Sequence, residues 1–185
     1  FYSVSNEPLA SWDFEGESTI GTADHWTARA SDYPVAWTIN PASVGIPFFI
    51  GRGTLDEPYV ISTVAEFNLI GSNPRWMGSH FKLGANIDFA GSTLRQIGGW
   101  WAPFYGTLDG NSKSMSNFVV NQSSQPFGGV FGMLFNPGSV RDLTLTDAMA
   151  TSQVFGGILA GHTTGDVDRV TVAGTLAGGY HSGGL

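Results

Sequence analysis

The chain has 185 residues, 15 Asp and Glu against 8 Lys and Arg, a net charge of −7 and no cysteine. That balance argues against nucleic acid or an anionic membrane surface as partner, since both are held through basic patches. It also leaves no disulfides and no thiolate metal sites. A hydrophobic share of 42% is enough for a sizeable core, no apolar run is long enough to insert in a membrane, and 26 glycines imply many tight turns.

Residues 1–40 carry a dense aromatic series, Trp12-Asp13-Phe14, His25-Trp26 and Tyr33-Pro34-Val35-Ala36-Trp37, and no copy of the phrase that recurs downstream. They read as the end of a preceding module or as a cap, with their rings packed rather than offered to sugars. Residues 41–47, from Pro41 to Pro47 with Gly45 between and no charge, read as a linker. From residue 48 onward short β-prone runs alternate with turns. Phe48-Phe49-Ile50 and Tyr59-Val60-Ile61 are strands, and 63–70 is the single short helix. There Thr63 or Ser62 caps the start, Glu66 completes a capping box, and Phe67 and Ile70 face inward. Phe81–Leu83, Asn86–Phe89, Leu94–Ile97, Phe104–Leu108 and Met115–Val120 follow as strands. Gly98-Gly99-Trp100-Trp101-Ala102-Pro103 interrupts them as a loop lip, with one indole expected buried and the other partly exposed.

Over 126–185 one phrase is spoken three times. Gly128-Gly129-Val130-Phe131-Gly132 returns as Gly156-Gly157-Ile158-Leu159-Ala160-Gly161 and as Gly183-Gly184-Leu185, 28 and then 27 residues on. A second phrase keeps the beat: Val140-Arg141-Asp142-Leu143-Thr144-Leu145 becomes Val167-Asp168-Arg169-Val170-Thr171-Val172, with Met115–Val120 as a looser earlier copy. A fixed period of this length marks stacked units, none of which can bury its apolar face alone. Leu143 and Leu145, like Val170 and Val172, alternate with Thr, which is the period of a pleated strand. The fold class predicted over 48–185 is all-β: a right-handed parallel β-helix, one repeat to a coil, coils about 4.8 Å apart. Laying Val140 under Val167 sets Arg141 against Asp168 and Asp142 against Arg169, two inter-coil ion pairs that penalise slippage more than they stabilise.

The Gly-Gly-aliphatic phrases resemble GLUG motifs, the short repeats of large bacterial surface proteins and adhesins of the pectin-lyase-like β-helix type. The upstream blocks, Gly51–Thr63, Phe81–Phe89 and Phe104–Asn111, resemble the segment that commonly precedes such repeats. The resemblance covers residues from about Gly51 to the end. It implies an extracellular or cell-surface location and a structural or adhesive role, and it names no ligand. The array stops inside its own phrase, so the sequence reads as a segment of a longer chain, or as one whose open end another copy covers.

Some β-helices of that kind cut polysaccharides, which requires carboxylates converging on one face. Asp88, Asp109, Asp142 and Asp168 fall on successive coils, but each has a turn or ion-pair role. No catalytic residue, enzyme activity or protein-held metal is expected. A calcium ion near Asp56-Glu57 or Asp13-Glu15-Glu17 is the sole cofactor the acidic residues admit. His25, His80, His162 and His181 are scattered, and Asn121-Gln122-Ser123 fits a glycosylation sequon. The expected partners are other copies or segments of the same protein, in a filament or coat, and surface glycans. For glycans the contact residues would be Trp100 and Trp101. A polysaccharide-binding module and a β-helix lyase or hydrolase are the alternatives.

Overall fold

The computed structural model describes Trp26–Thr27, Val35–Ala36 and residues 49–183. The chain divides into two units, Phe1–Pro47 and Phe48–Leu185. In the first, β1 (Trp26–Thr27) and β2 (Val35–Ala36) pair antiparallel with Trp26 opposite Ala36. The other members of the aromatic series, the 41–47 linker, Gly184 and Leu185 lie outside the described residues.

The second unit is a parallel β-solenoid of about four turns. Its main sheet stacks β3 (Tyr59–Ile61), β4 (His80–Leu83), β6 (Thr107–Ser116), β10 (Ser139–Ser152) and β13 (Asp166–Gly178) in sequence order, every pairing parallel. Short strands β5 (Ile87–Asp88) and β7 (Val119–Gln122) extend the same sheet. A second sheet stacks β8 (Phe127–Gly128), β11 (Phe155–Gly156) and β14 (His181–Ser182), and a third pairs β9 (Phe131–Leu134) with β12 (Ala160–Thr163). Parallel neighbours need a long crossover, and here the crossover is the remainder of each coil.

Register follows the second repeated phrase. Val167 stands over Val140 and Val172 over Leu145. Two alignments of the sequence need correction. Met115 lies beneath Leu145, and the residue beneath Val140 is Leu108. The cause is a longer corner in β6, where Asp109 to Lys113 spans what Arg141 to Leu143 spans above it. The last Gly phrase is also out by one, since Ser182 stands over Gly156. β10 carries an extra residue where the register shifts between Leu145 and Ala148, and Asp147 there has a left-handed φ of 50°. The shorter coil above therefore reaches the position over Gly156 one residue early, at Ser182, and Gly183 lies one step beyond it, its amide donating to the Gly156 carbonyl at 2.9 Å.

The interior is filled in columns, because each inward side chain meets its counterpart one coil away. Phe49, Tyr59, Phe81, Phe104 and Phe131 form one aromatic column, with ring centroids 4.9, 5.7, 6.2 and 5.1 Å apart. Phe67, Phe89 and Phe118 form another, at 6.0 and 5.7 Å. Aliphatic residues, among them Leu108, Met115, Val120, Leu134, Val140 and Leu145, pack between them fully buried.

α1 (Val64–Ile70) closes the first coil. Thr63 and Glu66 make the reciprocal capping box, and Phe67 and Ile70 are buried. Its Asn68 also stands in for a missing strand. The side-chain oxygen accepts from the Arg95 amide at 2.7 Å and the side-chain nitrogen donates to the Thr93 carbonyl at 3.3 Å. The backbone of the second coil is thus satisfied by a side chain where a strand would otherwise be needed.

The Gly-Gly phrase acts through close approach. A Cβ on Gly128 would sit 2.4 Å from the Thr151 carbonyl oxygen, and one on Gly129 would sit 2.8 Å from that of Gly157. Glycine at both positions lets β8 and the turn after it nest against the coil above.

Candidate functional site

Trp100 and Trp101 occupy the tip of a two-residue hairpin turn. Gly99 and Ala102 exchange both backbone hydrogen bonds, at 3.1 and 3.2 Å, and the two indoles project from between them. Residues at such a tip have no second layer to pack under, so both rings are exposed, Trp100 at 62% and Trp101 at 93%. The expectation of one buried indole is corrected by this turn. Trp100 is nevertheless held: its ring stacks on Phe127 at 5.9 Å with an interplanar angle of 11°.

That stack continues up the molecule. Phe127 stacks on Phe155 at 5.3 Å and 13°, and Phe155 on His181 at 5.2 Å and 15°. The three sit at paired register positions of β8, β11 and β14, so one ring is set above the next by the sheet itself. Trp100 is the end of this outer column, with a buried Phe127 as its floor. Sequence reasoning missed the column because its last member is a histidine, and neither Trp100 nor Phe127 belongs to the Gly-Gly phrase.

Beside the indoles lies an open groove of about 1090 Å³. Its walls come from the end of α1 and the turn after it, the stretch from Thr93 to Ala102, and the turn before β8. Met77, Leu94 and Phe127 form its apolar base and are buried. Gln122 and Gln125 stand on its rim, and Arg95 is the sole ionisable side chain among the described residues that line it. The Gln96 amide is wedged in the wall, its Nε2 donating to the Gly98 carbonyl at 3.3 Å and its Oε1 buried without a partner. The bare Cα of Gly132 makes room for it, since a Cβ there would fall 2.3 Å from Gln96 Nε2.

The carboxylates are engaged elsewhere. Asp88 Oδ1 accepts from the Ala90 amide at 2.8 Å and from the Asn117 side chain at 2.9 Å, and these bonds hold its pKa below the ordinary 3.8. Asp109 accepts from the Asn111 amide and from Arg141, each at 2.8 Å. Asp168 stands over Arg141 in register, yet the Arg141 guanidinium turns to Asp109 on the coil below. Asp168 is bonded instead by its neighbour Arg169. Asp142 meets Arg169 through two bonds of 2.6 and 3.0 Å. Of the two expected inter-coil pairs, therefore, Asp142 with Arg169 is formed and Arg141 with Asp168 is replaced. Asp142 and Arg169 are both corner residues with φ near +50°, 52° and 51° respectively, a conformation Asp tolerates better than Arg. The fork between them fixes the Arg corner.

Arg169 donates to Asp142 and holds its carboxyl below 3.8, while the same bond raises the Arg169 pKa. A carboxylate depressed in the folded state contributes stability that is complete above its unfolded value and lost as pH falls through the folded one. The contribution of Asp142 therefore fades below about pH 3.8. Asp142→Asn is expected to lower the melting temperature at pH 7 and to converge on the parent towards pH 2, so that the acid limb between pH 5 and 2 is flattened. An unaltered acid limb refutes this.

Among the described residues no group of three or more His, Asp or Glu is placed to hold a metal ion. Glu57, next to Asp56, is bridged to Arg52 at 3.1 Å, and Asp13, Glu15 and Glu17 lie outside the described residues. His80 Nδ1 lies 3.0 Å from Thr107 Oγ1, and His162 sets its ring edge-on between Phe135 and Phe127. His25 is outside the described residues. Within them, no helix is long and apolar enough to cross a membrane.

Coil-on-coil packing makes the described second unit a solenoid segment, and two known proteins are similar to the chain in sequence. The chain is 33% identical over 145 residues to halomucin of Haloquadratum walsbyi, an alignment covering 73% of this chain and 2% of that protein. It is 30% identical over 150 residues to a protein of Evansella cellulosilytica named as a Gly-rich membrane protein, covering 76% of this chain and 17% of the relative. The chain thus spans a small part of the relatives it matches. No family model matches it, and no solved structure does.

Proposed function

We propose that this chain is a shaft segment of a large cell-surface or extracellular repeat protein, and that its work is mechanical: adhesion, or the building of a filament or coat. The observation that carries the reading is the continuous register from β3 to β13, through which every coil is hydrogen-bonded to the next and length grows by adding coils. The size of both relatives, one of them named as a membrane protein, supports it. So does the resemblance of the Gly phrases to GLUG repeats, which we carry forward as kinship. The reading contains no catalysis: Asp88, Asp109, Asp142 and Asp168 are each tied to an amide or a guanidinium and serve the shaft. Antibody raised against this segment is expected to decorate intact, unpermeabilised cells or the material they shed, seen by immunogold electron microscopy. Label that enters only after the envelope is opened overturns the proposal.

A further inference from the structure

We infer that the Trp100–Trp101 lip and its groove bind a polysaccharide chain, with pyranose rings stacked on the two indoles. This rests on the adhesive reading above and gives it a class of target. Two large aromatic faces held out in water are costly to leave bare, and a contiguous exposed apolar surface marks a contact site. The lip is also rigid. Trp100 is stacked on Phe127, which the outer column fixes in turn, and Trp101 is carried on a turn closed by two backbone bonds. Trp100 therefore has little side-chain freedom left to lose on binding, whereas Trp101, 93% exposed, is fixed through its backbone alone.

The character of the groove selects among ligands. A protein partner wants aliphatic side chains beside the aromatic ones, but Met77 and Leu94 in the groove are buried, so its large exposed apolar surface is indole. Single-stranded nucleic acid also stacks on aromatic rings, but it needs a cationic track; here Arg95 stands alone in a chain of charge −7. A sugar ring has an apolar face and a hydroxylated rim. The face suits the indoles, and the rim suits Gln122 and Gln125, whose amides both donate and accept. The groove is open and at the upper end of the size of a small-molecule pocket, which fits a chain passing along it better than an enclosed monosaccharide.

The test is native affinity electrophoresis of the full chain in gels containing hydroxyethyl cellulose, xylan, laminarin, hyaluronan or polygalacturonate, with single-stranded DNA as a comparison. At least one polysaccharide is expected to retard the protein, and DNA is not. Trp101→Ala should weaken binding at least about tenfold, a loss of about 1.4 kcal/mol. It should leave the melting temperature within about 2 °C, as befits an exposed side chain. Trp101→Phe, which keeps an aromatic face, should recover part of the affinity. Retardation by no polysaccharide in the set overturns the inference, as does retardation that survives Trp100→Ala combined with Trp101→Ala, or a preference for DNA. Surface labelling reads the shaft proposal separately, so a chain that is displayed but indifferent to polysaccharide defeats this inference alone.

Discussion

Replacing Phe104 by alanine is expected to lower the stability of the solenoid by about 3–5 kcal/mol, the range for emptying a fully buried aromatic site. Phe104 is 0% exposed and lies in the middle of the inner column, 6.2 Å from Phe81 and 5.1 Å from Phe131. Its backbone is fastened twice to the coil above, the amide donating to the Met133 carbonyl and the carbonyl accepting from the Phe135 amide, which resists a slide into the space. Rings above and below are held by strands of their own coils, and the cavity stays open. For a unit of this size the loss corresponds to a fall in melting temperature of roughly 10 °C or more. Phe155→Ala is the matched control: its ring is 37% exposed and belongs to the outer column, so its removal opens a surface notch and not a void. Urea unfolding followed by circular dichroism checks both. Equal effects, or less than about 1 kcal/mol for Phe104, would show that the inner column is not the source of the stack's stability.

Which parts of this architecture can be read from the residues depends on where each coil is allowed to vary. Val140–Leu145 and Val167–Val172 announced their own register because their corners have the same length, one left-handed residue each at Asp142 and Arg169, and the pleated residues on either side keep a fixed side-chain period. The capping box at Thr63 and Glu66 was equally legible, since it is a local interaction complete within four residues. Corners hide their lengths. The extra residues of the Asp109–Lys113 corner and the bulge at Asp147 misled the alignments of Met115 and of the last Gly phrase, because a left-handed corner residue such as Asn111, Ser112 or Asp147 has no distinctive composition. The partner of Arg141 was hidden for a related reason: register names the residues above and below, and the rotamer chooses between them. At the candidate site the Trp pair was conspicuous in sequence, whereas its exposure follows from the turn between Gly99 and Ala102, and its support follows from a column spread over four coils.

Glycine substitutions give the sharpest contrast available in this chain, because two glycines seven positions apart, Gly99 and Gly106, face opposite surroundings. A Cβ built on Gly106 would lie 1.9 Å from the Ser79 carbonyl oxygen and within 3.0 Å of the Ser79 and Gly78 carbonyl carbons, all of them main-chain atoms of the neighbouring coil. No rotamer change relieves that contact. The segment from Met77 to Ser79 must retreat, and in doing so it strains the bonds by which Tyr105 and Gly106 donate to the Met77 carbonyl, each at 2.9 Å, and Thr107 to that of Ser79 at 3.3 Å. Gly106 also accepts from Ser139 of the following coil at 3.0 Å, so the disturbance is passed along the stack. Overpacking together with weakened buried hydrogen bonds places Gly106→Ala at about 3 kcal/mol of destabilisation or more. Gly98 is not a fair comparison, because its φ of 69° adds backbone strain. Gly99 is: an added Cβ there meets nothing within 4 Å, and its φ is not positive. Gly99→Ala should be neutral, or stabilising by up to about 1 kcal/mol through the unfolded chain. Thermal denaturation of the two variants side by side decides the matter. If Gly106→Ala melts with Gly99→Ala, coils at this position are not packed main chain against main chain, and the tight stacking from which the aromatic columns and the groove derive is wrong there.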